Sequence, residues 1–205
     1  PSYWLLNRDF YSTSFVSISL TITPKFVTMF KEIKSMFDLY NCDKAEKHHY
    51  HKIYGPEFES RRNQNLNILE VGIFKGASTR ALMDYFPNAN FYGIDIFERV
   101  AIEAIDISAS ARVNWIKGDS MTVKPAWGVE FDFIIDDGAH WPDANRLTFL
   151  NLIQYLKDDG VYWIEDVFPL DKLRKKISKA DSRWLKKRAD RYSLDAHEIL
   201  LKTLR

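Results

Sequence analysis

The sequence predicts an α/β fold built around a mostly parallel sheet, and three observations support this. From residue 66 onward, short apolar segments of strand length alternate with amphipathic segments of helix length. The strand segments are apolar almost throughout, which is typical of strands that helices cover on both faces. Acidic residues close these strands, and ligands of open parallel sheets bind at that edge.

The composition fits one globular domain. The chain has 205 residues, of which 46% are hydrophobic and 28% are charged, and its formal net charge is +1. So small a net charge gives no global field that would favour nucleic acid or a membrane surface as a partner. The single cysteine, Cys42, cannot form an intrachain disulfide, which indicates a reducing compartment. With no apolar run of membrane-helix length and no secretion signal, we expect a soluble, cytoplasmic protein.

The amino-terminal part of the chain differs in pattern from the main domain. Residues 15–23 alternate apolar and polar side chains as a strand does, Pro24 ends that pattern, and a helical pattern starts at Met29. The 15–23 strand is compatible with an extra edge strand, a dimerisation strand, or sequence that precedes a natural start at Met29. We therefore predict an appendage at 1–28, a helical lid segment at 29–65 and the main domain at 66–205.

The elements of the main domain follow one another as strand and helix. Strands are predicted at 65–73, 90–97, 113–120, 131–137 and 160–167. Helices are predicted at 77–86 and 144–156, and the pattern near 98–110 fits a helix or a loop. The segment 197–204 is typical of a closing strand, with a shorter strand before it near 188–194.

Glycines and acids after the first three strands indicate a nucleoside-binding edge. The first strand closes on Glu70, and Gly72 and Gly76 follow in an E-x-G-x-x-x-G pattern. Glycines let the backbone approach a ligand at a helix amino terminus, but this spacing departs from the dinucleotide fingerprint. Asp95 closes the second strand, where an acid can accept both ribose hydroxyls. Asp119, after the third strand, can accept from an exocyclic amine.

Four stretches resemble class I S-adenosylmethionine-dependent methyltransferases. Residues 68–97 resemble the first motif of that class and the acidic strand end that follows it. Residues 43–54, 131–141 and 160–167 are similar, more narrowly, to the metal-dependent sugar O-methyltransferases of macrolide and related antibiotic pathways and to their cephalosporin-pathway relatives. The resemblance implies a Rossmann-like, doubly wound sheet of seven strands and S-adenosylmethionine as cofactor.

The resemblance also implies roles for individual residues. A divalent ion would bind to Asp137, Glu165 and Asp166, and His140 would be the catalytic general base. The residues that would surround the cofactor are Glu70, Gly72, Gly76, Asp95, Asp119 and Ser120.

Strand geometry supports the metal site independently. The fourth strand, its crossover helix and the fifth strand form a β-α-β unit, so their carboxyl ends lie at one edge, about 5 Å apart if the strands are neighbours. The carboxylates of Asp137, Glu165 and Asp166 would then converge and repel one another unless a proton or a cation intervened. An all-oxygen site suits a hard ion, with Mg²⁺ as first choice and Mn²⁺ or Ca²⁺ as alternatives.

We therefore expect a metal-dependent O-methyltransferase that acts on a hydroxyl of a small molecule, a sugar or a glycoside. Metal coordination lowers the pKa of a hydroxyl, and a positioned imidazole accepts its proton. Residues 43–54 are compatible with a lid over this site or with a polar surface segment.

Two other functions stay open. Residues 172–191 hold ten Lys or Arg against two Asp, which fits a solvated helix face or the docking surface of a nucleic-acid methyltransferase. The alternative is a non-catalytic cofactor-binding or assembly protein in which the 15–23 strand mediates formation of a homo-oligomer.

Overall fold

The structure is a computed structural model that describes residues 24–166, residue 172 and residues 199–202. For residues 24–31 and 199–202 the backbone alone is described. The predicted strands at 15–23 and 188–194 lie outside the described residues, as does the basic stretch 172–191 apart from Lys172.

One mixed sheet forms the centre of the described fold. Its strands lie in the order β3-β2-β1-β4-β5-β6, and β6 alone runs antiparallel to its neighbour. The predicted α/β class with a mostly parallel sheet is confirmed, and the described residues contain six strands where seven were predicted. The strands are β1 (Asn67–Val71), β2 (Asn90–Asp95), β3 (Val113–Lys117), β4 (Phe131–Asp136), β5 (Leu156–Ile164) and β6 (Ile199–Lys202).

Four helices accompany the sheet within the described residues: α1 (Pro24–Leu39), α2 (His51–Arg61), α3 (Ala77–Tyr85) and α4 (Pro142–Leu152). Both α1 and α4 begin at a proline, earlier than the hydrophobic pattern indicates, because proline suits the first turn of a helix. The region near 98–110, where the sequence left helix or loop open, contains two short 3-10 turns, Ile102–Ala104 and Asp106–Ala109.

The central strands bury both of their faces, which explains why most of their residues are apolar. On one face Phe133 and Trp163 pack with side chains of α1, α2 and α3, while on the other Ile134 and Tyr162 pack with α4. Phe58 of α2 lies at the centre of the first layer. Its ring contacts the rings of Tyr54, Tyr85, Phe86, Phe133 and Trp163. Helices α1 and α2 are therefore part of the core that supports the strand ends.

Cys42 follows α1 and is buried. Burial raises the pKa of its thiol to about 12, so the thiol stays protonated and poorly nucleophilic at neutral pH.

Among the helices of the described residues, none has both the length and the apolar character needed to cross a membrane.

Candidate active site

The strand order places a crevice at the carboxyl ends of β1 and β4. The chain leaves β1 toward β2 on one side, while β4 lies on the other side, and such a reversal opens a ligand-binding crevice in doubly wound sheets. Gly72 follows β1, and Asp137 follows β4. The backbone N–H of Asp137 donates to the carbonyl oxygen of Val71 at 3.0 Å, so the two strand ends are held side by side.

The loop after β1 requires glycine at two positions. Gly72 has φ +84°, and a Cβ there would lie 2.2 Å from the backbone carbonyl oxygen of Asp137. Gly76 precedes α3 with φ +73°, and its Cβ would lie 2.8 Å from a methyl carbon of Ile105. Both glycines are thus needed for the positive φ and for the close packing of this loop, which we call the cradle.

Asp95 braces this loop. Its Oδ2 accepts from the backbone N–H groups of Ile73 at 2.7 Å and Phe74 at 3.1 Å, and its Oδ1 accepts from Phe97 at 2.7 Å. An ionised carboxylate offers about four acceptor positions, so these three bonds leave capacity for a hydroxyl donor. Asp95 thus joins the ends of β1 and β2 at the position where a ribose is expected.

Glu70 belongs to β1, the strand that precedes this loop. It is buried, and its Oε2 accepts from the Thr79 hydroxyl of α3 at 2.6 Å. Burial raises the pKa of this carboxyl, and the nearby Lys44 ammonium opposes the rise. In this structure Glu70 connects β1 to α3.

Asp119 and Ser120 shape the turn after β3. The Asp119 Oδ1 accepts from the backbone N–H of Met121 at 2.9 Å, and the Ser120 hydroxyl lies 2.9 Å from that of Thr148 in α4. Because β3 is parallel to β2 and β1, this turn lies at the same edge of the sheet as Glu70 and Asp95.

Asp137, His140 and Asp166 converge after β4 and β5. Each offers one ligand atom, and these atoms all lie within 4.8 Å of one another. The Nε2 of His140 lies 3.8 Å from Oδ1 of Asp137. His140 and Asp166 have φ of +57° and +51°, a left-handed conformation that residues other than glycine rarely adopt. Such backbone strain concentrates at functional sites.

The side chain of Glu165 lies outside the group formed by Asp137, His140 and Asp166. Its Oε2 accepts from the ammonium of Lys44, and its Oε1 accepts from the Tyr54 hydroxyl. Lys44 also donates to Oδ2 of Asp137 at 2.7 Å, so one ammonium joins two of the three predicted ligands. The structure therefore brings Asp137 and Asp166 together with His140, and connects Glu165 to Asp137 through Lys44.

Burial and charge have opposite effects on the pKa values of Lys44 and Glu165. Burial raises the pKa of Glu165, and contact with the ammonium offsets part of that rise. Burial alone would lower the pKa of Lys44, but the carboxylates of Glu165 and Asp137 raise it well above its usual range. Lys44 therefore keeps its proton.

Asp166 is held by the segment that precedes α2. The Tyr50 hydroxyl donates to Oδ1 of Asp166 at 2.5 Å and accepts from its backbone N–H at 3.1 Å. The Nδ1 of His48 lies 3.2 Å from the same Oδ1. Sequence reasoning gave Lys44, His48 and Tyr50 no chemical role. These residues belong to a D-K-x-x-x-H-H-Y pattern at 43–50, but a single sequence does not show which acids they contact.

Asp136 gives the protein a predicted pH dependence. The side chain is 1% exposed, and burial raises the pKa of Asp136 to about 7. The folded state thus binds this proton more tightly than the unfolded state, in which the pKa of Asp is about 3.9. Its stabilising contribution is complete below about pH 4 and is lost as the pH rises toward 7. Urea unfolding from pH 5 to pH 8 should show stability falling more steeply in the wild type than in Asp136→Asn. Parallel pH profiles would contradict this assignment.

Comparison with known proteins shows what this chain is similar to. Residues 69–167 match a family model described as a methyltransferase domain. The chain is 29% identical over 128 residues to mycinamicin VI 2''-O-methyltransferase of Micromonospora griseorubida, covering 56% of this chain and 30% of that protein. It is 32% identical over 123 residues to L-olivosyl-oleandolide 3-O-methyltransferase of Streptomyces antibioticus, covering 56% and 31%. The matches thus span about a third of these relatives' own length.

A solved structure shows the same fold. MycE methyltransferase from the mycinamycin biosynthetic pathway, in complex with Mg, SAH and mycinamycin VI, matches with a TM-score of 0.63 at 23% identity. The match covers 85% of this chain and 55% of that one. The resemblance to class I methyltransferases, and to the macrolide sugar O-methyltransferases in particular, is confirmed by these matches.

Proposed function

We propose that this chain forms the cofactor and metal site of an S-adenosylmethionine-dependent, divalent-metal-dependent O-methyltransferase that acts on a hydroxyl of a sugar or glycoside. One observation carries the proposal. Asp137, His140 and Asp166 offer ligand atoms within 4.8 Å of one another, at the sheet edge where Gly72 leaves β1. The names of the two relatives, both O-methyltransferases, support the reaction class.

The cradle after β1 fits the cofactor. Gly72 and Gly76 give this loop its left-handed turns, and Asp95 keeps acceptor capacity beyond its three amide bonds. S-adenosylmethionine bound here supplies an electrophilic methyl group. The residues proposed to surround it are Glu70, Gly72, Gly76, Asp95, Asp119 and Ser120.

The acid cluster fits a hard divalent ion. Asp137 and Asp166 supply carboxylate oxygens, which Mg²⁺ and Mn²⁺ prefer, and the imidazole of His140 lies beside them. Glu165 is proposed as a further ligand, for which it must exchange its present contacts with Lys44 and Tyr54. The ion supplies Lewis-acid chemistry: it lowers the pKa of a hydroxyl that coordinates it.

His140 is proposed as the general base. Its imidazole is exposed and lies 3.8 Å from Asp137, so it faces the rim where an acceptor hydroxyl would enter. The bound cofactor would supply the methyl group to the acceptor oxygen, and His140 would accept the proton that the acceptor hydroxyl gives up. The cluster would hold acceptor and base together, and such orientation contributes to the rate as well as acidity does.

A methyl-transfer screen tests the proposed function. Purified protein is incubated with methyl-labelled S-adenosylmethionine and a panel of sugars, glycosides and catechols, with Mg²⁺ or with chelator. We expect transfer to at least one sugar or glycoside, abolished by chelator and restored by added Mg²⁺. Calorimetry with S-adenosylmethionine accompanies the screen. Absence of both binding heat and transfer would reject the enzyme class, and transfer that survives chelator would remove the metal from the reaction.

The same assay tests the base. His140→Gln is expected to lower the transfer rate by about 100-fold to 10,000-fold, the usual contribution of general base catalysis, with cofactor binding retained. His49→Gln is the matched control, because His49 is exposed and belongs to the neighbouring segment. Equal rates for the two variants would show that His140 is not the base.

A further inference from the structure

Lys44 is the most deeply buried cation of the site. Its side chain is 2% exposed, although lysine is almost never buried without a partner. Its ammonium contacts Glu165 and Asp137 directly, and it also interacts with the charge of Glu70. Lys44 therefore faces acids from β1, β4 and β5 at once.

The contacts of Lys44 coincide with the proposed metal ligands. Of the three acids proposed to bind the ion, Asp137 and Glu165 share the Lys44 ammonium, whereas Asp166 is held by Tyr50. The remaining oxygen of Glu165 is occupied by Tyr54, so Glu165 can reach an ion only by giving up a present partner. A lysine and a divalent ion thus require the same two carboxylates.

We propose that Lys44 is an internal counter-cation that keeps Asp137 and Glu165 assembled when no divalent ion is bound, and that it competes with the ion for these carboxylates. This inference rests on the proposed function for its metal half only. Two cations that share a carboxylate pair repel each other, so Lys44 lowers the affinity for the ion in exchange for an ordered metal-free site. Lys44 is a positioning residue and contacts no reacting atom.

The metal-free half is tested by thermal unfolding in chelator. Lys44→Met leaves the buried Glu165 and the partly buried Asp137 without their cation, and it should lower the melting temperature by about 10 °C. Lys47→Met removes the same charge from the same segment at a side chain that is 68% exposed, and it should change the melting temperature little. Equal melting temperatures for the two variants would overturn the inference.

The metal half is tested by titration with Mg²⁺ alone, followed by calorimetry and by the melting temperature. Lys44→Met should bind Mg²⁺ about tenfold more tightly than the wild type and gain more stability from it, whereas Lys47→Met should match the wild type. Weaker binding by Lys44→Met would contradict competition and make Lys44 a support of the ion. If the wild type and both variants bind no Mg²⁺, the proposed function fails while the chelator experiment still decides the counter-cation role.

A double variant covers the case in which Lys44→Met does not fold. Glu165→Gln in the same chain neutralises the more deeply buried of the two carboxylates that lose their cation. The Lys44→Met, Glu165→Gln protein should therefore be more stable in chelator than Lys44→Met alone. A double variant that is no more stable than the single variant would show that Lys44 does not act through Glu165.

Discussion

Replacing Asp137 with asparagine is expected to abolish nearly all methyl transfer. Asp137 lies next to both His140 and Lys44. Its Oδ1 lies 3.8 Å from Nε2 of His140, and its Oδ2 accepts from the Lys44 ammonium at 2.7 Å. The amide keeps the size of the side chain but removes its charge, so the proposed ion would bind more weakly and the proposed base His140 would lose its charged neighbour. We expect turnover to fall about 100-fold or more, together with Mg²⁺ affinity.

The control for this variant is Glu130→Gln. Glu130 is an exposed acid immediately before β4, at the opposite end of the strand from Asp137. It should retain wild-type turnover and Mg²⁺ binding. Turnover by Asp137→Asn equal to that of the control, at equal folded fraction by circular dichroism, would exclude Asp137 from the reaction.

Replacing Gly72 with alanine is expected to destabilise the whole domain. The new Cβ would lie 2.2 Å from the backbone carbonyl oxygen of Asp137. The backbone at this position has φ +84°, which residues with a side chain rarely adopt. The ends of β1 and β4 would have to separate, and hydrogen bonding between these strands would weaken. Strain of this kind costs about 3 kcal/mol or more of the free energy of unfolding. Urea denaturation measures it.

Gly128 supplies the comparison. Its φ is +71°, similar to that of Gly72, but an added Cβ would meet nothing within 4 Å. Gly128→Ala therefore isolates the cost of the left-handed backbone, about 1 to 2 kcal/mol. If the two alanine variants lost equal stability, the close approach of β1 and β4 at Gly72 would not contribute.

Much of the fold could be predicted because burial leaves a periodic record. Strands such as β4 are mostly apolar because they face α4 on one side and α1, α2 and α3 on the other. The convergence of Asp137 and Asp166 could be predicted from the β-α-β connection alone. Boundaries were less accurate, since the prolines that begin α1 and α4 lie outside the apolar pattern.

The residues that hold the acids of the site in place could not be predicted from the sequence. Lys44 contacts Glu165 across 121 positions of the chain, and Tyr50 contacts Asp166 across 116. Local pattern describes neighbours within a few residues, and it carries no information about which distant acid a lysine will meet. The side-chain direction of Glu165 was equally hidden, because it depends on Lys44 and Tyr54 rather than on its own strand.

Whether Asp137 and Asp166 hold one divalent ion can be decided by diffraction from crystals soaked in Mn²⁺, recorded at a wavelength where manganese scatters anomalously. We predict one strong anomalous peak at about 2.0 to 2.5 Å from carboxylate oxygens of Asp137 and Asp166, at the crevice beside Gly72. An anomalous map with no peak there, or with its strongest peak away from both carboxylates, would show that these acids do not form the metal site.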